Sequence, residues 1–246
     1  MPISENFTSI LSKEFEINFL QCGPNGYLKH TELCNILQLT AAEHSKLGGI
    51  SFLDMQQYNL AWVLSRMRVE IERLPRWTDV ITVKTWICSL ENSRSIRAFE
   101  VFLNGQKIIG SETFWAVLNT KTRRPENLCL PHEHFEKYPE SRGTEKLLSK
   151  IKTPDNMQKI ADKTIFLSDL DIVNHANNVK YLEWCLDYYD NTLIFSNQIS
   201  SFDMNFVAEL YLHDKVEIKR IANYEAYYFE IFKSNKISFA LKVQNK

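Results

Sequence analysis

The chain has 246 residues, 44% hydrophobic and 24% charged, with a formal net charge of −1. This composition predicts a globular protein with a sizeable core, in one large domain or two ordinary ones, and excludes a global pull toward nucleic acid or acidic membranes. No apolar run reaches membrane-spanning length, and the N-terminal stretch carries acids and lacks a basic start and continuous apolar core, so a cytoplasmic protein is expected. Cys22, Cys34, Cys88, Cys129 and Cys185 are an odd number without a C-x-x-C pair. They read as reduced thiols rather than a disulfide framework or a zinc site.

In chain order, an alternating run predicts a strand over 14–20, and the turn Gly23-Pro24-Asn25-Gly26 leads into a helix over 31–43 that Gly48-Gly49 breaks. Val63, Met67, Val69 and Ile71 alternate with charged residues in a strand over 63–74. Further strands are expected over 79–88, 95–103 and 107–118, with Asn104-Gly105 as a hairpin turn. Residues 121–162 hold four prolines (Pro125, Pro131, Pro139, Pro154) among many charges and read as a linker, with room for a short helix over 147–151. The second half repeats the order of the first: a strand near 164–167, a helix, then strands over 202–210, 215–221, 226–232 and 237–243. Laying Trp77-Thr78-Asp79-Val80 on Leu212-His213-Asp214-Lys215 puts Leu74 opposite Glu209. Strand, buried helix and antiparallel sheet, twice over, predict an α+β tandem (double) hotdog, with repeats over 1–120 and 163–246.

The second half carries a polar cluster without counterpart in the first. Asp169, Asp171, Asn174, His175, Asn177 and Asn178 fall within ten residues at the start of a helix, where Asn caps and the macrodipole is positive. Along that helix Lys180, Glu183, Asp187 and Asp190 form one polar stripe, and Val179, Tyr181, Leu182, Trp184, Cys185, Leu186, Tyr188 and Tyr189 fill the remainder. His132 and His134 lie in the proline-rich stretch and read as an exposed pair; no metal or cofactor is expected. No G-x-S-x-G elbow, P-loop or dinucleotide fingerprint is present.

The detailed residues resemble a family. Trp62-Val63-Leu64-Ser65 is followed by Ile71, Arg73, Pro75, Trp77, Asp79 and Thr85-Trp86; Trp115 by Asn119, Thr122, Arg123 and Arg124; and DLDIVNHANNVKYLEW runs from Asp169 to Trp184. In this the chain resembles the acyl-ACP thioesterases of plastids and bacteria. The resemblance implies hydrolysis of fatty acyl-ACP to free fatty acid and ACP, in the bacterial cytoplasm, with catalytic groups at Asp171, His175 and Glu209. The family pattern D-x-N-x-H is broken here by Val173, with an asparagine displaced to Asn174. Asn174, Asn177 or backbone amides take the role of the missing amide, or that role is dispensable; Asn177 and Asn178 are the lesser site candidates and read first as caps of the helix.

Two other functions remain open on the residues alone. Hotdog hydratases and dehydratases also pair Asp and His at this helix and would not need Glu209, and a non-catalytic acyl-binding protein would need neither. The expected partner is an acyl carrier protein with its acyl chain, not nucleic acid or a membrane; a homodimer is allowed. Carrier proteins of this kind are acidic, and Lys121, Arg123 and Arg124, or Lys146, Lys150 and Lys152, supply local basic patches. The first half, with Leu33, Cys34, Leu37, Leu39, Ala41, Trp62 and Trp86, is expected to serve as acyl pocket or structural partner.

Overall fold

The computed structural model describes residues 3–223 and 226–246. The chain forms two compact units, one of residues 1–65 and 72–147, the other of residues 66–71 and 148–246.

In the first unit, strand β1 (Ile10–Glu16) precedes a single 3-10 turn and helix α1 (His30–Leu47), followed by short helix α2 (Phe52–Gln56). Strand β2 (Leu60–Ile71) begins here, and β3 (Val80–Glu91), β4 (Arg94–Leu103) and β5 (Gln106–Asn119) complete the unit. The antiparallel order is β1-β3-β4-β5. Helix α1 buries Leu33, Ile36, Leu37 and Ala41, which are spaced at one helical face, and packs on β1 and β3. It stops at Gly48, where a Cβ would lie 2.1 Å from the Phe135 ring. Asn104 and Gly105 take φ +53° and +79°, the two left-handed residues of a tight hairpin.

The stretch 121–157 has no helix or strand, and the short helix allowed over 147–151 does not form. Its first part, to Leu147, clusters with the first unit. Leu128, Leu130 and Phe135 are buried there with Ile50, Met55 and Ile87.

In the second unit, β6 (Gln158–Thr164) leads through a 3-10 turn to helix α3 (Asn178–Leu186), short helix α4 (Asn191–Phe195) and strands β7 (Ile199–Phe206), β8 (Lys215–Ala222), β9 (Ala226–Lys233) and β10 (Lys236–Asn245). The strand order is β7-β10-β9-β8-β6, with residues 66–70 of β2 antiparallel to β7. Helix α3 buries Val179, Tyr181, Leu182, Trp184 and Cys185. It is shorter than expected: it ends at Leu186, Tyr188 is exposed, and Asp190 caps α4 instead of extending the polar stripe. Each unit thus has a helix whose apolar face is buried beside an antiparallel sheet, the arrangement expected for a tandem hotdog.

The repeat extends to single hydrogen bonds. Thr78 N donates to Ile17 O, and His213 N donates to Ile165 O, both at 2.9 Å. Thr78 and His213 both have positive φ, +71° and +67°. Arg76 N donates to the Asp79 carboxylate at 2.7 Å, and Tyr211 N to that of Asp214 at 2.8 Å. An aspartate accepting from the backbone three residues earlier stabilises a turn that a non-glycine residue would otherwise strain.

Candidate active site

The site is built by two loops of the second unit. Asp169, nearly fully buried, closes the first turn by accepting from Phe166 N at 2.8 Å, with Lys163 Nζ at 3.3 Å. The next turn is tighter. Asp171 N donates to His175 O at 2.8 Å and Asn174 N to Asp171 O at 3.1 Å. Asp171 Oδ1 accepts from Val173 N at 2.9 Å and from His175 N at 3.2 Å. Asn174 takes φ +61° and is exposed; asparagine is among the few non-glycine residues that adopt this conformation readily. Asn177 caps α3, its side-chain oxygen accepting from Val179 N at 3.0 Å, and Asn178 is the first residue of the helix.

Ala176 N donates to Leu210 O at 2.8 Å, which draws the second loop alongside. The alternation predicts a strand through Glu209, but β7 ends at Phe206, which is only half-buried, and Glu209 lies beyond it. The ladder of β7 ends because Val207 N and Ala208 N both turn to one acceptor, Ser238 O, at 2.9 and 3.1 Å. The chain then leaves the sheet, and this lets Glu209 face His175. Its Oε1 lies 3.4 Å from His175 Nδ1, and both side chains are about four-fifths buried, with relative exposures of 23% and 21%. Tyr211 donates its hydroxyl to Glu209 Oε2 at 3.0 Å and sets its ring edge-on to the imidazole, with centroids 4.9 Å apart.

Tyr181 holds this loop from within α3: its hydroxyl donates to Ala208 O at 3.4 Å and accepts from Leu210 N at 3.1 Å. Burial pushes the Tyr181 phenol up, so it is a neutral hydrogen-bonding group. Sequence reasoning missed both tyrosines. Tyr211 could have been found from its i+2 spacing to Glu209; Tyr181 gave no signal beyond a packing residue on an apolar helix. Cys185 is fully buried and its thiol is pushed well up by desolvation, which suits packing rather than nucleophilic work.

The first half repeats the scaffold without the chemistry. Gly23 N donates to Tyr27 O at 2.8 Å and Leu28 N to Pro75 O at 2.9 Å, matching the bonds of Asp171 and Ala176. By this register Gly23, Gly26, Tyr27, Leu74 and Arg76 stand where the second half has Asp171, Asn174, His175, Glu209 and Tyr211. Leu74 is buried, and Arg76 lies over the Tyr27 ring at 4.8 Å.

A cavity of about 210 Å³ lies inside the first unit. Gln38, Ala41, Ala42 and Ser45 form one wall from α1, and Trp62, Ile87 and Trp115 are among the others. Leu33 and Leu37 do not line it: both are fully buried on the core side of the helix, and Leu39 is 62% exposed. Trp86 is buried elsewhere and Trp77 is exposed. Among the described residues no cluster of His, Cys, Asp and Glu could hold a metal ion. His134 bonds Gly48 O at 3.0 Å and His132 bonds Leu130 O at 2.8 Å.

Against known proteins, residues 9–138 match the acyl-ACP thioesterase N-terminal domain and residues 152–244 the C-terminal domain. The chain is 28% identical to a chloroplastic palmitoyl-acyl carrier protein thioesterase of Gossypium hirsutum, over 81% of this chain and 52% of that protein. It therefore spans about half the length of the curated relatives it matches. An acyl-ACP thioesterase structure from Bacteroides thetaiotaomicron is 26% identical with a TM-score of 0.88, covering 97% of this chain and 98% of the other. A 12:0-ACP thioesterase of Umbellularia californica shares the fold, with a TM-score of 0.82 at 21% identity over 97% of this chain and 98% of that one. With both domain matches in order and a tandem hotdog in common, the chain belongs to the acyl-ACP thioesterase family.

Proposed function

We propose that this protein hydrolyses fatty acyl-ACP to free fatty acid and ACP. The observation that carries the reading is the His175–Glu209 pair, 3.4 Å apart at the start of α3. Glu209, oriented by Tyr211, holds the imidazole so that its other ring nitrogen can take a proton from water. The resulting hydroxide adds to the thioester carbonyl carbon. Its carbonyl oxygen becomes an oxyanion, facing the positive end of the α3 dipole. Collapse of that adduct breaks the C–S bond, and the proton held on His175 goes to the departing thiolate. Asp171 acts by holding the turn that presents His175.

In this reading the second half carries the chemistry, and the first is its structural partner and acyl pocket. Lys121 and Arg124, exposed beyond β5, offer positive charge to an acidic carrier protein. No helix among the described residues is long and apolar enough to cross a membrane, and we assign the protein to the cytoplasm.

The test is thiol release from a panel of acyl-ACPs with a thiol-reactive dye. Release that depends on His175 and Glu209 is the expected result. A change in enoyl absorbance with no thiol freed would replace hydrolysis by hydration chemistry, and neither signal would leave an acyl-binding protein.

A further inference from the structure

The two repeats fold the same pair of turns but charge them oppositely. In the first unit the pair is 18–29 and 73–79; by the register of Ile17 with Ile165 and of Thr78 with His213, its counterpart is 166–177 and 208–214. The second pair carries four acids, Asp169, Asp171, Glu209 and Asp214, and neither lysine nor arginine. The first carries Lys29, Arg73 and Arg76 against one acid, Asp79, whose carboxylate is taken up by Arg76 N. Glu16 and Glu72, the next acids along the chain, lie beyond the turns, and Glu72 accepts from Gln106 Nε2 at 3.3 Å. The net charge of −1 averages over these ends of the chain's two units and conceals the basic one.

The basic turns also hold out apolar side chains. Phe19 and Leu20, in the 3-10 turn that follows β1, are 71% and 79% exposed. Trp77 is 55% exposed, with its ring edge-on to Phe19 and centroids 5.9 Å apart. Trp77 N donates to Gly26 O at 3.0 Å, which ties the two turns into one tip. The cations are fastened to that tip: Lys29 Nζ donates to Leu20 O at 3.0 Å, and Arg76 lies over the Tyr27 ring. Lys29, Arg73 and Arg76 nevertheless all stay exposed. Apolar side chains held this far into water gain free energy when something covers them. We propose that this tip docks the protein on an anionic phospholipid surface. Trp, Phe and Leu would enter the boundary between headgroups and acyl chains, and the three cations would lie among the lipid phosphates. A bilayer accepts protruding side chains without a shaped pocket, whereas a protein partner needs a complementary one. Docking of this kind holds whether or not the chain is a hydrolase.

In the experiment the full chain is mixed with phosphatidylcholine vesicles, with and without phosphatidylglycerol, and binding is read by co-sedimentation and tryptophan fluorescence. The expected result is binding to the anionic vesicles, weak binding to the neutral ones, and loss of binding with added salt. Phe19→Ser combined with Leu20→Ser should lower anionic partitioning about tenfold or more, since the inserted apolar area sets it. Arg73→Gln should lower it about fivefold, the share of one cation at such a surface. Trp77 is the exposed one of five tryptophans, so Trp77→Phe should keep binding and lose the blue shift of fluorescence. Leu167→Ser, at the place of Phe19 in the second unit, should change nothing. All these side chains except Arg73 are apolar and exposed, Arg73 is exposed too, and circular dichroism should match the parent in every variant. Absence of binding to anionic vesicles, or equal binding by the double serine variant, would overturn the proposal. So would self-association or acyl-ACP turnover that the double serine variant weakens while vesicles stay unbound, which would give the tip to a second copy or to an acidic carrier protein. Thiol release from acyl-ACP is read separately: its absence in a protein that binds vesicles ends the hydrolase reading and leaves the role of the tip standing.

Discussion

Glu209 is held from two sides: His175 Nδ1 lies 3.4 Å from one carboxylate oxygen, and the Tyr211 hydroxyl donates to the other at 3.0 Å. Removing either member of the pair should remove the base. Glu209→Gln and His175→Ala are expected to lower kcat on acyl-ACP by about a hundredfold or more, with circular dichroism unchanged. Tyr211→Phe, which loses only a positioning bond, should cost about tenfold, roughly one hydrogen bond to a charged group. Normal turnover in both pair variants would end the assignment.

Asp171 is a different case, because one of its oxygens accepts two backbone N–H groups of its own turn. Asp171→Ala should therefore lose about 1–3 kcal/mol of stability in urea unfolding, the cost of leaving such donors without a partner. Asp171→Asn keeps an acceptor oxygen and should lose less. Unaltered stability with abolished turnover in Asp171→Asn would instead make Asp171 the base.

Asn174 tests what replaces the family asparagine. Its φ of +61° is a conformation glycine adopts freely. Asn174→Gly should keep both fold and turnover, while Asn174→Val should lose about 1–2 kcal/mol in the left-handed region. A loss of turnover in Asn174→Gly matching that of His175→Ala would give the side-chain amide a chemical role.

Arg68 and Asp203 face each other across β2 and β7, both buried, with one guanidinium nitrogen 2.8 and 2.7 Å from the two carboxylate oxygens. Arg68→Met alone should destabilise the protein by about 3–5 kcal/mol, since it strands a buried carboxylate. The Arg68→Met, Asp203→Leu double variant should recover most of that loss in chemical denaturation. Additive losses would show that the pair is not coupled.

Burial also predicts acid sensitivity. Desolvation pushes His30 down to about 4 and His44 down to about 3. Below pH 6.5 the unfolded chain takes up protons at both rings that the folded chain excludes. Stability should therefore fall as pH drops from 6.5 toward those values, by about 1.4 kcal/mol per pH unit for each ring. His44→Gln should flatten the pH dependence by about half of that combined slope in urea titrations between pH 6 and 5; an unchanged slope would refute the assignment.

Much of this was legible in the sequence because periodicity reports which face is buried. The strands alternate, the helix at His30–Leu47 carries its apolar spacing, and Leu74 falls opposite Glu209 as the repeat required. What the sequence hid were departures from period. Glu209 sits in apparent alternation, yet the strand ends at Phe206 because two amides share Ser238 O, a tertiary bond that local pattern does not carry. Leu33 and Leu37 look like pocket wall by composition. Only the helix phase shows that Gln38, Ala41, Ala42 and Ser45 form that wall. The role of Tyr181 was invisible for the same reason, since it depends on partners far away in the chain.

The matched turns at Thr78-Asp79 and His213-Asp214 separate what holds the loop from what reacts in it. Main-chain bonds and one aspartate fix the same path in both copies, while the side chains presented differ: Tyr27, Leu74 and Arg76 in one, His175, Glu209 and Tyr211 in the other. Such a turn works as a socket. Its reactive groups can be exchanged without renegotiating the backbone, so after a duplication one copy is free to lose its reactivity while the other keeps it, and neither needs to unlearn the fold.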